Sequence, residues 1–208
     1  MNWNAKWIWS DGSQRKNQWI CFRKRFSLEK EFDNAVLRIT ADSRYQLYIN
    51  GRELTMGPAR NWPFTQDYDV IPLKDFLRHG ENMLAVLVNF YGESTSQYVH
   101  GRGGLLAQLD LLKAGEAVGQ VVTDQTWLWA RHASYTGELA QPWIEVFDAA
   151  RFAQDWMQPE FDDTGWTPAV LVGEPGCEPW TSLQERSVPL FSRKEAYAEK
   201  IMGYEAVE

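Results

Sequence analysis

The sequence has few cysteines, few positive charges and no long apolar run, and each shortage excludes a class of protein. Only two of the 208 residues are cysteines, Cys21 and Cys177, so neither a disulfide framework nor a CxxC metal site is present. Asp and Glu number 28 against 21 Lys and Arg, and the net charge of −7 argues against a surface for nucleic acid or anionic membrane. No apolar stretch approaches the roughly 18 residues that a transmembrane helix needs.

Signals for export and for metal binding are also missing. The N-terminus has neither the charged nor the apolar region of a signal peptide, and no Asn-x-Ser/Thr sequon occurs, so we expect a cytoplasmic protein. The three histidines, His79, His100 and His132, lack the spacing of metal ligands, and no EF-hand loop is present for calcium. We therefore predict no metal and no cofactor.

Aromatic residues are what the sequence has in abundance. Eleven Trp, 10 Phe and 8 Tyr make up 14% of a chain whose length suits one β-sandwich domain. Exposed rings can stack against the apolar faces of sugars, whereas rings within strands fill a core. Because most of the Trp residues lie in or beside predicted strands, we expect most of them to be packed.

Short alternating runs predict many β-strands and almost no helix. Apolar and polar residues alternate over 19–28, 35–41 and 45–49, and the last run ends at Asn50-Gly51, which predicts a hairpin because both residues tolerate positive φ. Residues 83–91 are almost continuously apolar, as expected of a central strand buried on both faces. Further strands are predicted over residues 52–56, 105–112, 118–123, 127–132, 143–147 and 169–172.

The spacing of these strands predicts an all-β fold, an antiparallel β-sandwich of jelly-roll type. Residues 72–80 predict a short helical turn, and 183–191 an extended connector. Ser192-Arg193-Lys194-Glu195 has the form of a capping box and predicts a C-terminal helical tail. We expect a sandwich domain over 1–185, followed over 186–208 by a connector and a short helix.

Seven segments, in order along the chain, resemble a known family. The most specific is Ala41-Asp42-Ser43-Arg44-Tyr45-Gln46-Leu47-Tyr48-Ile49-Asn50-Gly51, followed by Gly57-Pro58-Ala59-Arg60. The sequence is similar to the N-terminal β-sandwich domain of bacterial α-L-rhamnosidases, which are multidomain glycoside hydrolases, within the wider superfamily of galactose-binding-like sandwiches. The other segments that carry the resemblance are 5–9, 22–26, 68–69 with 80–86, 103–105, 123–127 and 161–166.

This resemblance implies a chain without catalytic residues of its own. Enzymes of the family are similar in carrying a downstream (α/α)6-barrel with a pair of acidic residues in an inverting mechanism, and this sequence has one candidate helix. The implied partner is therefore the catalytic domain of the same polypeptide, which this sequence lacks. A rhamnosylated glycan is the carbohydrate that the resemblance implies.

Two loops carry the residue types that bind sugars, which are aromatic rings together with Arg, Asp, Asn and His. The candidate ligand-binding residues are Arg60, Trp62, Phe64, Asp67, Asn89, Tyr91 and His100. The same loops could instead dock to another domain. A further alternative is that the rings only pack and that Asp42, Arg44 and Arg60 form salt bridges that support the loops.

Two functions follow from these observations. The first is a non-catalytic accessory domain that supports or shapes an α-L-rhamnosidase-like hydrolase, and its hallmark is an exposed apolar patch near 189–201. The second is an independent carbohydrate-binding module, which needs a cleft where aromatic and polar groups converge. The resemblance favours the first.

Overall fold

The computed structural model describes residues 2–96, 98–136, 145–192, 197, 199–200 and 202–203. Two short 3-10 turns, Lys74–Phe76 and Ala149–Arg151, accompany thirteen strands. The strands are β1 (Trp7–Trp9), β2 (Gln18–Leu28), β3 (Asn34–Asp42), β4 (Arg44–Ile49), β5 (Arg52–Gly57), β6 (Gln66–Pro72), β7 (Gly80–Phe90), β8 (Gly104–Lys113), β9 (Glu116–Val122), β10 (Leu128–Arg131), β11 (Thr167–Pro168), β12 (Val170–Gly173) and β13 (Leu183–Glu185).

The strands form two sheets. The first sheet has the order β12-β1-β8-β3-β6-β13, with β9 also paired to β8, and the second has the order β11-β10-β2-β7-β4-β5. The chain changes sheet at each of the first three connections, so β1 to β4 lie alternately on the two sides of the core. This arrangement confirms the predicted all-β sandwich.

Several local predictions are confirmed as well. Asn50 and Gly51 have φ values of 50° and 81° and join β4 to its antiparallel partner β5. Strand β7 lies between β2 and β4, and every residue from Asn82 to Phe90 is buried. The predicted helical turn contains the 3-10 turn Lys74–Phe76. Strands β8, β9, β10 and β12 lie within two residues of their predicted bounds.

The expectation of a purely antiparallel sandwich with an extended connector over 183–191 is wrong at one place. The first three residues of that connector form β13, which pairs with β6 in parallel. Gln66 N donates to Ser182 O at 2.8 Å, and Arg186 N donates to Tyr68 O at 3.0 Å. The parallel direction is possible because β6 and β13 are far apart in sequence, and the chain from β7 to β12 supplies the crossover that a parallel pair needs.

The strand predicted over 143–147 is not supported. Residues 143 and 144 lie outside the described part of the chain, and no strand covers the following three residues. A single bridge between Tyr135 and Phe147 is the β-pairing found there.

The C-terminal helical tail is not supported either. Of residues 192–201, six lie outside the described part of the chain, and the other four have no helical structure. Tyr197, one of these four residues, is 83% exposed, whereas short helices depend on burying an apolar face. Within the described residues, no helix has the length and apolarity needed to cross a membrane.

The main core lies between the sheets, and two further apolar clusters cover their outer sides. Inward-facing side chains such as Phe22 and Val86 form the main core, while their neighbours Cys21 and Ala85 face outward. On the outer side of the second sheet they meet a cover that we call the outer aromatic layer, formed by Tyr135, Phe152, Trp156, Phe161 and Trp166.

The first sheet has an aromatic cover of its own. Trp7 and Trp180 stack there with ring centroids 3.7 Å apart, next to Leu106. Nine of the eleven Trp residues belong to the three clusters, which confirms that most of them serve packing. Trp62 is exposed and Trp143 lies outside the described residues.

A buried arginine attaches the outer aromatic layer to the second sheet. The side chain of Arg23 is 0% exposed, and its Nε lies 2.8 Å from Asp163 Oδ2. Its Nη1 donates to Trp156 O and, at 3.0 Å, to Gln158 O. The guanidinium also lies 5.1 Å from the centre of the Phe161 ring. One charged group on β2 therefore holds residues 156–163 of this layer against the sheet.

We expect Arg23→Met to lower the free energy of unfolding by about 3–5 kcal/mol, because the carboxylate of Asp163 and the carbonyl groups of Trp156 and Gln158 would lose the buried donor that they share. Arg25→Met is the matched control. Arg25 lies 3.8 Å from the same carboxylate of Asp163 but is 44% exposed, and its loss should cost less than about 1 kcal/mol. Urea unfolding followed by circular dichroism measures both. Equal losses in the two variants would contradict the assigned role of Arg23.

The outer aromatic layer also encloses a histidine. His132 is 4% exposed and packs against Tyr135 and Phe152, with ring centroids 4.9 and 4.4 Å apart. No described residue hydrogen-bonds to its buried Nδ1. Burial lowers the pKa of His132 from 6.5 to about 4 because the charged ring would lose its hydration. The fold therefore holds this histidine in its neutral form.

Acid should weaken the fold through this histidine. The unfolded chain takes up the proton near pH 6.5 and the folded chain only near pH 4, so its contribution is complete above pH 6.5 and is lost as the pH falls toward 4. His132→Phe should flatten this part of the profile of unfolding free energy against pH. His79→Gln, which removes a histidine that is 74% exposed, is the matched control for the loss of a histidine. Identical profiles for wild type and His132→Phe would rule out this origin of the acid sensitivity.

Candidate functional site

A cavity of about 730 Å³ opens at the end of the sandwich. Its walls come from the turn between β3 and β4, the ends of β5 and β7, the outer aromatic layer and the connector that follows β13. A volume of this size is typical of sites for small molecules. The cover of the second sheet meets the chain's turns here, so this end of the fold is the candidate site.

Three neighbouring strands place a row of different side chains at the cavity. Arg44 on β4 is opposite Asn89 on β7, and Asn89 is opposite Trp19 on β2. Cross-strand partners point to the same side of a sheet, so an indole, an amide and a guanidinium lie side by side on the outer face. Trp19 stacks on Tyr135 with ring centroids 3.7 Å apart and planes 4° apart. The Arg44 guanidinium lies 5.3 Å from the centre of the Tyr91 ring.

The structure brings three of the seven predicted site residues to this cavity, namely Arg60, Asn89 and Tyr91. Asn89 donates from Nδ2 to Asn17 Oδ1 at 3.2 Å, which orients its amide. Tyr91 is 4% exposed and meets Tyr98 edge to face at 5.0 Å. These residues come from both predicted loops, so the two loops do lie at the same end of the fold.

The other four predicted residues do not line the cavity. Trp62 and Phe64 are 57% and 58% exposed and stack on each other with centroids 6.0 Å apart. Asp67 is buried and accepts a hydrogen bond from Gln184 at 2.8 Å. His100 is exposed and has its ring 6.1 Å from that of Phe90.

Several lining residues were not among the sequence candidates, chiefly Trp19, Arg44, Tyr135, Arg186 and Phe191. Alternation along β2 and β4 indicates that the first two share a face with other outward-pointing residues. It does not indicate which strands are neighbours, and that pairing is what joins them into one site. No local pattern in the sequence signals that the connector returns to the cavity.

A buried carboxylate lies at the turn between β3 and β4. Asp42 is 2% exposed, and its Oδ1 accepts hydrogen bonds from the Tyr98 hydroxyl and, at 3.2 Å, from Ser43 Oγ. Burial raises the pKa of Asp42 to about 6, although these hydrogen bonds act in the opposite direction. In the described part of the chain, Asp42, Arg44 and Arg60 form no ion pairs, so the alternative that they form supporting salt bridges finds no support there.

A second buried carboxylate fixes the connector beside the cavity. Asp69 on β6 is 0% exposed, and its Oδ1 lies 3.1 Å from Arg186 Nη1, while Oδ2 accepts the Tyr45 hydroxyl. Burial raises the pKa of Asp69, and the hydrogen bond from Tyr45 and the charge of Arg186 oppose that rise. There is no room for a larger residue at Gly57, because a Cβ there would clash with Asp69 Oδ2. The residues after Arg186, among them Val188 and Phe191, then form a cavity wall.

The chemistry of the site is that of binding by stacking and hydrogen bonding. It offers aromatic faces, an amide and guanidinium groups, which suit a polar ligand with an apolar face. Among the described residues, no three side chains of the His, Cys, Asp and Glu type come together as metal ligands.

Comparison with known proteins identifies the family. Residues 30–188 match the family described as the α-L-rhamnosidase N-terminal domain, which is well over half of the chain. The chain belongs to the α-L-rhamnosidase N-terminal domain family. The predicted resemblance is thereby confirmed.

Members of this family with solved structures share the fold. The crystal structure of the GH78 family rhamnosidase of Bacillus sp. GL1 is 39% identical, with a TM-score of 0.82, over 91% of this chain and 20% of that one. An α-L-rhamnosidase of Streptomyces avermitilis is 26% identical over 85% of this chain and 15% of its own length. The chain thus spans about a fifth or less of these two relatives.

The fold is also shared outside the family. A lectin from Pleurotus ostreatus, solved in complex with GalNAc, is 23% identical with a TM-score of 0.59, over 88% of this chain and 46% of the lectin. At this level of identity the likeness concerns the sandwich fold alone.

The ion pair between Asp69 and Arg186 should be strongly coupled. We expect Arg186→Met to cost about 3–5 kcal/mol, because it leaves a buried carboxylate with the Tyr45 hydroxyl as its remaining partner. The double variant Asp69→Asn/Arg186→Met should cost less than the sum of the two single variants by about 1–3 kcal/mol. Urea unfolding of the four proteins measures this coupling. Strict additivity would show that the ion pair does not hold the connector.

Proposed function

We propose that this chain acts as a non-catalytic accessory β-sandwich domain of an α-L-rhamnosidase-like glycoside hydrolase, where it supports or shapes the catalytic part of the enzyme. The observation that carries the proposal is the family match over residues 30–188, together with the 15–20% of their own length that matched relatives devote to this domain. In such proteins most of the chain lies outside the sandwich and is available for catalysis.

The surface around the connector supports this role. Large apolar side chains are exposed there, with Val188 52%, Phe191 61% and Met202 86% exposed. Exposed apolar groups of this kind are typical of surfaces that another domain covers. The connector itself is fixed by the buried pair of Arg186 and Asp69, so a domain attached to it would have a defined starting direction.

A second candidate function is an independent carbohydrate-binding module. It is favoured by the cavity, where Trp19, Arg44 and Asn89 converge beside Tyr91. The lectin that shares the sandwich fold was solved with a sugar. Saturable binding of L-rhamnose by the isolated chain would favour this candidate, whereas a flat titration at millimolar sugar would favour a purely structural role.

A domain exchange tests the accessory role. Residues 2–192 would replace the matching segment of the Bacillus sp. GL1 rhamnosidase, and a deletion of that segment would be made in parallel. We expect the exchange to preserve thermal stability and hydrolysis of p-nitrophenyl α-L-rhamnoside, and the deletion to lose both, because the docking surface would be exposed.

The matching part of the Pleurotus ostreatus lectin is the control insert, since it shares the fold without the family's surface. It should rescue neither property. The proposal fails if the deletion enzyme is as stable and as active as the intact enzyme, or if the lectin segment rescues as well as this chain.

A further inference from the structure

We propose that the cavity at the end of the sandwich binds an anionic sugar, and that its carboxylate pairs with the guanidinium groups of Arg44 and Arg60. A uronic acid residue is the ligand class with this chemistry. The inference rests on the carbohydrate-binding candidate function and narrows it to acidic sugars.

The cavity is rich in positive charge, although the whole chain is negatively charged. The protein has a net charge of −7, yet three arginines line this one cavity, namely Arg44, Arg60 and Arg186. Arg186 is already paired with Asp69 at 3.1 Å. For Arg44 and Arg60, no carboxylate lies within ion-pair distance anywhere in the part of the chain that is described. Among the described residues, two cations at the cavity thus have no carboxylate partner.

The two acidic groups that line the cavity are arranged differently. Asp42 is 2% exposed and accepts hydrogen bonds from Tyr98 and Ser43, so its charge is directed at hydroxyl groups. Burial also raises its pKa to about 6, which reduces its charge in mildly acidic solution. Glu145 is exposed at the side of the outer aromatic layer, next to Val146. A carboxylate that pairs with the two arginines is therefore repelled by one exposed acidic side chain, that of Glu145.

The arginine on β4 is held in place for such a ligand. The Arg44 guanidinium lies over the Tyr91 ring, 5.3 Å from its centre. Its N–H groups point outward in the plane of the guanidinium, where they can donate to a ligand. Arg60 is exposed and has one long contact, 3.4 Å from Nη2 to Ser96 O. Guanidinium forks bind carboxylates through two parallel hydrogen bonds, which a neutral sugar hydroxyl cannot supply.

The remaining lining groups suit the ring of a sugar rather than a simple anion. Trp19 and Tyr135 form a stacked aromatic pair at the cavity, and Asn89 places an amide between Trp19 and Arg44. Aromatic faces pack against the apolar side of a pyranose, and the amide suits its hydroxyl groups. An inorganic anion would leave these groups unused.

Binding of four small probes to the full 208-residue chain tests the proposal. The probes are methyl β-D-glucuronide, methyl β-D-glucoside, L-rhamnose and acetate, followed by changes in the NMR spectrum. We expect the glucuronide to bind at least about tenfold more tightly than the glucoside, the effect of one charge-assisted hydrogen bond. Acetate should bind weakly, and added salt should weaken the glucuronide more than the glucoside.

Charge-removing variants locate the site. Arg44→Gln and Arg60→Gln should each weaken glucuronide binding about tenfold and leave binding of the glucoside nearly unchanged. Arg131→Gln is the matched control, since Arg131 is an exposed arginine on β10 that does not line the cavity. It removes the same net charge and should leave the affinity unchanged. Thermal unfolding of each variant checks that the fold is intact.

Each result has a distinct meaning. The proposal is overturned if the glucoside or L-rhamnose binds as tightly as the glucuronide, if acetate binds as well as the glucuronide, or if the Arg44 and Arg60 variants bind like Arg131→Gln. Binding of L-rhamnose alone overturns the anionic ligand and keeps the carbohydrate-binding function. If no probe binds, both fail and the accessory role is unaffected.

Discussion

A carboxylate without any exposed surface has to be compensated inside the protein, and Asp69 imposes that constraint on this fold. Its partners come from distant parts of the chain, Tyr45 on β4 and Arg186 just after β13. The same group therefore joins the two sheets to each other and to the connector. Since the connector forms a wall of the cavity, the shape of the site depends on this buried charge as much as on the residues that line it. The absence of a side chain at Gly57 leaves the room that the arrangement requires.

The aromatic content has a structural explanation in the number of apolar layers. Antiparallel sandwiches often leave the outer faces of their sheets to solvent. Here both outer faces carry aromatic clusters, one anchored by Arg23 and one built around the stacked Trp7 and Trp180. With both faces covered, the ends of the sandwich are the places where backbone turns and polar side chains can form a cavity. The candidate site lies at the margin of one of these covers, since Trp19 on the outer face of the second sheet stacks on Tyr135 and also lines the cavity.

Sequence alone predicted the local structure well and the site only in part. Alternation, the Asn50-Gly51 turn and the apolar run of β7 act over neighbouring residues, and the strands they predict are found in the structure. Arg44 on β4 and Trp19 on β2 share the site because both are paired with Asn89 on β7, the strand between them. The order of these strands in the sheet depends on packing across the whole chain. Trp62 and Phe64 are exposed but lie outside the cavity. Residue type alone does not tell whether an exposed ring faces a cavity or open solvent. The parallel β13 was missed because it pairs with a strand 117 residues away, as Gln184 and Asp67 illustrate.

The parallel strand at the edge of the first sheet also has a mechanical meaning. β13 meets β6 over three residue pairs, whereas β2 and β7 in the interior of the second sheet meet over eleven. A tensile load on the chain beyond Arg186 is carried first by those three pairs and by a single ion pair. The connector should therefore detach before the sheets separate, so that the sandwich keeps its shape while the connector moves away. Under load, the pairing of β13 with β6 is thus the first part of the fold to open, and the two sheets with their aromatic covers stay intact.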